Sequence, residues 1–170
     1  MGEGAEPSCS SASIVPIVSM VPEVPTTATV NVYEADVIID VETTQLNDKH
    51  PDTLTTYGVM CRVQDNGDGY SFRITNNGQY VIEKYMNGIF VPVANWGYSE
   101  AIKANKDLNK NHIVASCVGS QLALTVNGHL LTNAVDGTFT EGRVGFIAQS
   151  GAAGAFAEVH YDELWLTRPE

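Results

Sequence analysis

"YSFRITNNGQYVIEKYMNG", residues 70–88, decides the fold. Tyr70, Phe72 and Ile74 alternate with Ser71 and Arg73; after Asn77-Gly78, Tyr80, Ile82 and Met86 oppose Val81, Glu83 and Tyr85. Side chains of a strand point to opposite faces in turn, so each run reads as a half-buried strand. Asn-Gly accepts the positive φ of a two-residue type I′ turn, so Asn77-Gly78 joins the runs into a hairpin and Asn87-Gly88 starts the next.

The same grammar extends in both directions. Asn66-Gly67 and Asn127-Gly128 also sit between strand-like runs. "NVYEADVIIDVE" (31–42) sets Tyr33, Ala35, Val37, Ile39 and Val41 against Glu34, Asp36, Asp40 and Glu42, which predicts one long antiparallel strand. "TYGVMCRVQ" (56–64) puts Tyr57, Val59, Cys61 and Val63 on the core side and Met60, Arg62 and Gln64 on the other. Further strands are expected over 112–118, 121–127, 129–134, 143–148 and 155–167. In the last, Val159 and Tyr161 differ in parity from Leu164 and Leu166, which predicts a bulge near Asp162–Glu163. Residues 43–54 read as a polar loop, and 99–110 hold one short turn at most. Roughly ten to twelve short strands imply an all-β sandwich of two antiparallel sheets.

Residues 1–13 are Ser/Gly/Ala/Pro-bearing linker chemistry, or a cloning-derived start, and lack the basic and apolar parts of a signal peptide. Residues 14–170 form one sandwich domain. Within it, Pro16 limits 14–22 to an edge strand or an arm.

With 170 residues and 44% hydrophobic composition, the chain suits a single core. Its formal charge of −11 opposes nucleic acid and anionic membrane surfaces. No apolar run is long enough to insert in a membrane. Cys9, Cys61 and Cys117 include no C-x-x-C pair, and the four histidines are scattered, so zinc is not expected. Cys61 and Cys117 fall on the apolar side of their strands, as two buried thiols or one disulfide.

"VQDNGDGYSF" (63–72) looks at first like a calcium loop. Aligned on Asn66, Asp68 and Gly69, its first ligand position is Gln64 and its twelfth Thr75, so two acidic ligands are missing. It reads as a hairpin turn, with Asp65 and Asp68 left as weak calcium candidates. No other cofactor is expected. There is no G-x-S-x-G, Walker loop or dinucleotide fingerprint.

From Tyr57 onward, the order "YGVMCR", "YSFRITNNGQYVIEKYMNG", "NHIVASCVGSQLALTVNG", "GRVGFIA", "VHYDELWL" resembles bacterial extracellular domains of the concanavalin A-like lectin/glucanase fold. The laminin-G-like and 3-keto-disaccharide hydrolase-type domains are those it is most similar to. The resemblance implies a jelly-roll sandwich whose concave sheet holds sugars in such families. Family 16 glucanases of this fold carry an E-x-D-x-(x)-E strand for paired-carboxylate chemistry. Here Glu34 and Asp36 begin it, but Ile38 and Ile39 stand where the third acid belongs, and Glu158, Asp162 and Glu163 are wrongly spaced. No catalytic residue is assigned, and an enzyme is not the favoured reading.

Sugar binding needs an aromatic face for the ring and planar polar groups for its hydroxyls. Trp96 and Tyr98, with Arg62, Arg73, Glu83, Tyr85 and Gln121 on non-core positions, are the candidate ligand-binding residues. Trp165 reads as structural or at an interface. The function expected is a non-catalytic, extracellular or cell-surface module that binds carbohydrate or a cell-surface polymer, or mediates adhesion. The alternative is a structural subunit that self-associates through its N-terminal arm. A sugar-acting hydrolase comes third.

Overall fold

A computed structural model describes residues 10–12, 17–19, 26–46, 53–104, 108–151 and 157–169. Among them are thirteen strands: β1 (Ser10–Ala12), β2 (Ile17–Ser19), β3 (Thr26–Glu34), β4 (Val37–Leu46), β5 (Thr55–Val63), β6 (Gly69–Thr75), β7 (Gln79–Met86), β8 (Ile89–Tyr98), β9 (Leu108–Val118), β10 (Gln121–Val126), β11 (His129–Val135), β12 (Gly142–Ser150) and β13 (Ala157–Thr167). They form two antiparallel sheets. One runs β3-β12-β5-β6-β7-β8; the other runs β1-β13-β4-β9-β10-β11, with β2 also on β13. The described residues include no helix long and apolar enough to cross a membrane.

The alternation read from residues 70–86 sets the inner face. Tyr70, Phe72, Ile74 and Ile82 meet Val37, Ile39, Val41, Ile113, Leu122 and Leu124 of the opposite sheet, all buried. Slipping any strand by one residue would turn this set to solvent, so the pattern fixes the register. Cys61 of β5 and Cys117 of β9 are bonded across the two sheets, which resolves the thiol-or-disulfide alternative.

Four expectations from the sequence need correction. The single strand over 31–42 is two: β3 ends at Glu34 in one sheet and β4 starts at Val37 in the other, with a bend at Ala35–Asp36. Val30 and Val32 therefore face the core, while Tyr33 is exposed. Residues 43–46 are not loop but the end of β4, where Thr43 and Gln45 point inward beside Asn109 and Asn111 of β9. Their polarity is satisfied inside: Thr43 Oγ1 donates to the Asn111 carbonyl (2.8 Å), and Asn109 Nδ2 to Gln45 Oε1 (2.9 Å). Asn111 Nδ2 donates to the Tyr57 hydroxyl (3.1 Å). Burial pushes that phenol up to about 12, against the hydrogen bonds from Asn111 and Thr43.

Third, a bulge at Arg62 (φ 53°) reverses the parity of β5, so Val63 joins Met60 on the outer face instead of Tyr57 on the inner. Fourth, only two Asn-Gly turns have positive φ at both residues, Asn87-Gly88 and Asn127-Gly128. At Asn66-Gly67 and Asn77-Gly78 the glycine alone does, the pattern of a longer loop with a left-handed glycine. The predicted bulge in the last strand is present, with Glu163 at φ 51° and the register shifting between Asp162 and Trp165.

The described parts of the N-terminal arm, β1 and β2, pair with β13 of the same chain. The readings made for 1–9, 13–16 and 20–25, Cys9 among them, lie outside the described residues.

The β11–β12 connection is pinned to the six-stranded sheet. Tyr70 donates to Asp136 Oδ1 (2.5 Å), Lys84 Nζ to Asp136 Oδ2 (2.8 Å), and the Phe139 amide to the Tyr70 hydroxyl (3.1 Å). Partial burial alone would raise the Asp136 pKa, but hydrogen bonds from Lys84, Tyr70 and Thr138 hold it well below the usual carboxylate range. A depressed carboxylate adds stability above its unfolded pKa of ~3.9 and loses it as pH falls through the folded value. We expect Asp136→Asn to cost on the order of 1 kcal/mol at neutral pH. It should also flatten the decline in stability below about pH 4, measured by urea unfolding across pH. An acid limb identical to that of the native chain would contradict this role.

Candidate functional site

The outer face of the six-stranded sheet holds most of the candidate residues. Alternation on β6 and β7 puts Ser71 and Arg73, then Val81, Glu83 and Tyr85, outward; Ser71 stands opposite Glu83 and Arg73 opposite Val81. On β5 and β12 the outward residues Met60, Val63 and Ile147 form a small apolar cluster, against which Tyr85 and Phe90 pack. The centre of this face is a sheltered floor, and its β7–β8 side is a half-exposed aromatic rim.

The floor is polar at one point. Arg73 Nε donates to Glu83 Oε2 (2.9 Å), Nη2 bonds the same oxygen, and Nη1 donates to Gln149 Oε1 (2.9 Å). Both charged side chains are buried, at 4% and 3% exposure. Burial pulls the Arg73 pKa down, while Glu83 raises it. The guanidinium carbon lies 3.9 Å from the Phe90 ring centre and 6.0 Å from that of Trp96, a cation–π arrangement that fixes both rings over the pair. Ser71 Oγ, next to Glu83, is buried without a hydrogen-bond partner among the described residues. A buried hydroxyl left unpaired costs about 1–3 kcal/mol, so this one marks a demand for a polar group at the floor.

The rim is 44% exposed at Trp96 and 66% at Tyr98. Tyr98 is held by the β6–β7 turn: a Cβ on Gly78 would come within 2.7 Å of its ring. On the inner face of the same strand, Gly97 makes room for Tyr80, whose ring would be 2.5 Å from a Cβ there. Of the rim, Tyr98 is therefore positioned by the turn before any ligand arrives.

Two candidate residues lie elsewhere. Gln121 does face outward, but from β10 of the seven-stranded sheet, on the opposite side of the molecule. The bulge turns Arg62 away from the face into the end of the sandwich, where it is 2% exposed. Asp65 pairs with Arg143 of β12 (2.6 Å), and Asp68 Oδ1 accepts from the Asn87 amide of the β7–β8 turn (2.9 Å). Among the described residues no group of three or more His, Cys, Asp or Glu is placed to hold a metal ion. Trp165 is half-exposed on the seven-stranded sheet beside Asp40. Reading the sequence missed Ser71, Phe90 and Gln149 as members of the floor and rim. For Ser71 the outward parity was already visible in "YSFRIT".

No protein-family model and no curated protein sequence matches the chain. Solved structures do. A carbohydrate-binding module, CBM66, from Bacillus subtilis superposes with TM-score 0.69 at 15% identity, over 92% of this chain and 94% of that one. The chain has the concanavalin A-like jelly-roll fold. Sheep galectin-11, in complex with glycerol, shares this jelly roll with TM-score 0.54 at 10% identity, over 96% of this chain and 99% of that one. A β-1,3-1,4-glucanase (lichenase) from a mouse hindgut metagenome gives 0.57 at 12%, over 82% and 69%. At such identities the likeness concerns fold, and function has to be argued from the site.

Proposed function

We propose that this jelly roll is a non-catalytic carbohydrate-binding domain of an extracellular protein, and that it binds a neutral sugar on the outer face of the six-stranded sheet. One observation carries this reading: Phe90 and Trp96 stand over Arg73 on a floor with Ser71 and Glu83, and Tyr98 is exposed on the same strand. Aromatic rings suit the C–H faces of a pyranose or furanose, and planar polar groups suit its hydroxyls. The carbohydrate-binding module and the galectin of the same fold support the reading. Arg73 is already committed to Glu83 and Gln149, and Arg143 of the same face to Asp65, which favours a neutral sugar over an acidic one. Glu83 is the one carboxylate on the floor among the described residues, whereas glycoside hydrolysis uses two. A buried disulfide fits an oxidising compartment, which favours export.

We expect Trp96→Ala to weaken binding to neutral oligosaccharides about thirtyfold, the ~2 kcal/mol of an aromatic anchor, with unchanged unfolding midpoint. A neutral and acidic glycan array followed by calorimetry checks it. No binding to any neutral glycan overturns the proposal. Hydrolysis of a bound glycan by the purified domain overturns its non-catalytic part.

A further inference from the structure

A second feature lies at the end of the sandwich, away from the outer face. Asp36, the Gly119–Ser120 turn and the loop after β11 line an open pocket of about 170 Å³ with Arg62 in its wall. That is below the ~300–1,000 Å³ of pockets for drug-sized ligands, which limits an occupant to one small ring.

The backbone is strained to build it. Arg62 holds φ at 53°, a left-handed conformation that costs a non-glycine residue about 1–2 kcal/mol. Gly142 makes room for it, since a Cβ there would lie 2.4 Å from the Arg62 carbonyl carbon. The guanidinium donates to the Ala35 carbonyl (2.8 Å), the Phe139 carbonyl (2.9 Å) and Asp36 Oδ1 (3.2 Å). Asp36 Oδ1 also accepts from the Gly119 amide (2.8 Å), while the side chain stays 46% exposed. Strain held by several contacts is characteristic of ligand sites.

The lining is mostly apolar, with a few polar groups that can meet hydroxyls. Asp36 supplies a carboxylate, Ser120 and Thr140 supply hydroxyls, and Phe139 supplies a ring fixed edge-on to Tyr70 at 5.2 Å. Arg62 and Asp36 neutralise one another, so the pocket favours an uncharged occupant. A Cβ on Gly119 or Gly137 would meet nothing within 4 Å, so both glycines border open space.

We propose that this end pocket is a second carbohydrate subsite, independent of the outer face, that takes one neutral hexose unit. The domain would then engage two points on a glycan or two separate chains. The test is a titration of the ¹⁵N-labelled chain with the methyl glycosides of D-glucose, D-galactose and D-fructose, following amide shifts residue by residue. The expected result is a saturable response at Gly119, Ser120 and Gly137 to at least one sugar. Gly137→Leu, whose Cβ meets nothing within 4 Å and whose side chain takes up pocket space, should raise the Kd at Gly119 and Ser120 at least about tenfold. Shifts around Trp96 should persist in that variant, and Trp96→Ala should do the reverse. Should Gly137→Leu lose its dispersed spectrum, Thr140→Val carries the same test. No response at these three amides, or a response unchanged by the pocket variants, overturns the second site. A responsive pocket beside a silent Trp96 face would overturn the outer-face reading alone.

Discussion

Removing the Cys61–Cys117 bond is expected to cost about 4 kcal/mol of unfolding free energy. The bond joins residues 56 apart in sequence, one from each sheet, and both cysteines are fully buried. A cross-link stabilises mainly by removing conformations from the unfolded chain, by ~3 kcal/mol for a 15-residue loop and ~4.7 for a 100-residue one. For a domain of this size, a loss of 4 kcal/mol lowers the melting temperature by about 8–16 °C. Reductant alone is a poor probe, because the folded protein shields the sulfurs. The Cys61→Ala/Cys117→Ala double variant, compared with the oxidised chain by urea unfolding, measures the term directly. A midpoint unchanged in the double variant would show that packing between the sheets suffices without the bond.

The jelly roll was legible in residues 70–88 because Tyr70, Phe72 and Ile74 on one strand and Tyr80 and Ile82 on the next keep period two and face one core. The two-residue turn read at Asn77-Gly78 would set Ser71 opposite Lys84; the longer loop sets it opposite Glu83, so it is the alternation of the strands that brings Ser71, Arg73 and Glu83 to one face. The rest depends on contacts far along the chain. Alternation tells which side of a strand a residue occupies but not which sheet the strand joins, so Gln121 had the right parity on the wrong sheet. It also runs on through Ala35–Asp36, where the chain changes sheet, because Tyr33 and Ala35 extend the odd-numbered apolar row although the core-facing residues before the bend are Val30 and Val32. Arg62 could not be placed from the sequence at all. Arginine has no preference for positive φ; the bulge is imposed by acceptors at Ala35, Asp36 and Phe139, up to 77 residues away.

Breaking the Arg73–Glu83 pair from one side is expected to be as costly as losing the disulfide. Each side chain is almost fully buried, so Glu83→Gln leaves a guanidinium without its counter-charge, and Arg73→Met leaves a carboxylate in the same position. Removing one partner of a buried pair costs about 3–5 kcal/mol, chiefly from the stranded charge. Replacing both with apolar residues of similar volume is often close to neutral, so Arg73→Met/Glu83→Leu should recover most of that loss. Binding should separate the two roles. The double variant keeps the fold and the aromatic rings but lacks the polar floor, so it should bind sugar no better than either single variant. Urea unfolding of all four proteins, with the same glycan titrated into each, tests both points. If the single changes cost under about 1 kcal/mol, the pair is solvated rather than buried in effect. If the double variant binds like the native chain, recognition belongs to the aromatic rim alone, and Arg73 and Glu83 serve only to hold Phe90 and Trp96 in position.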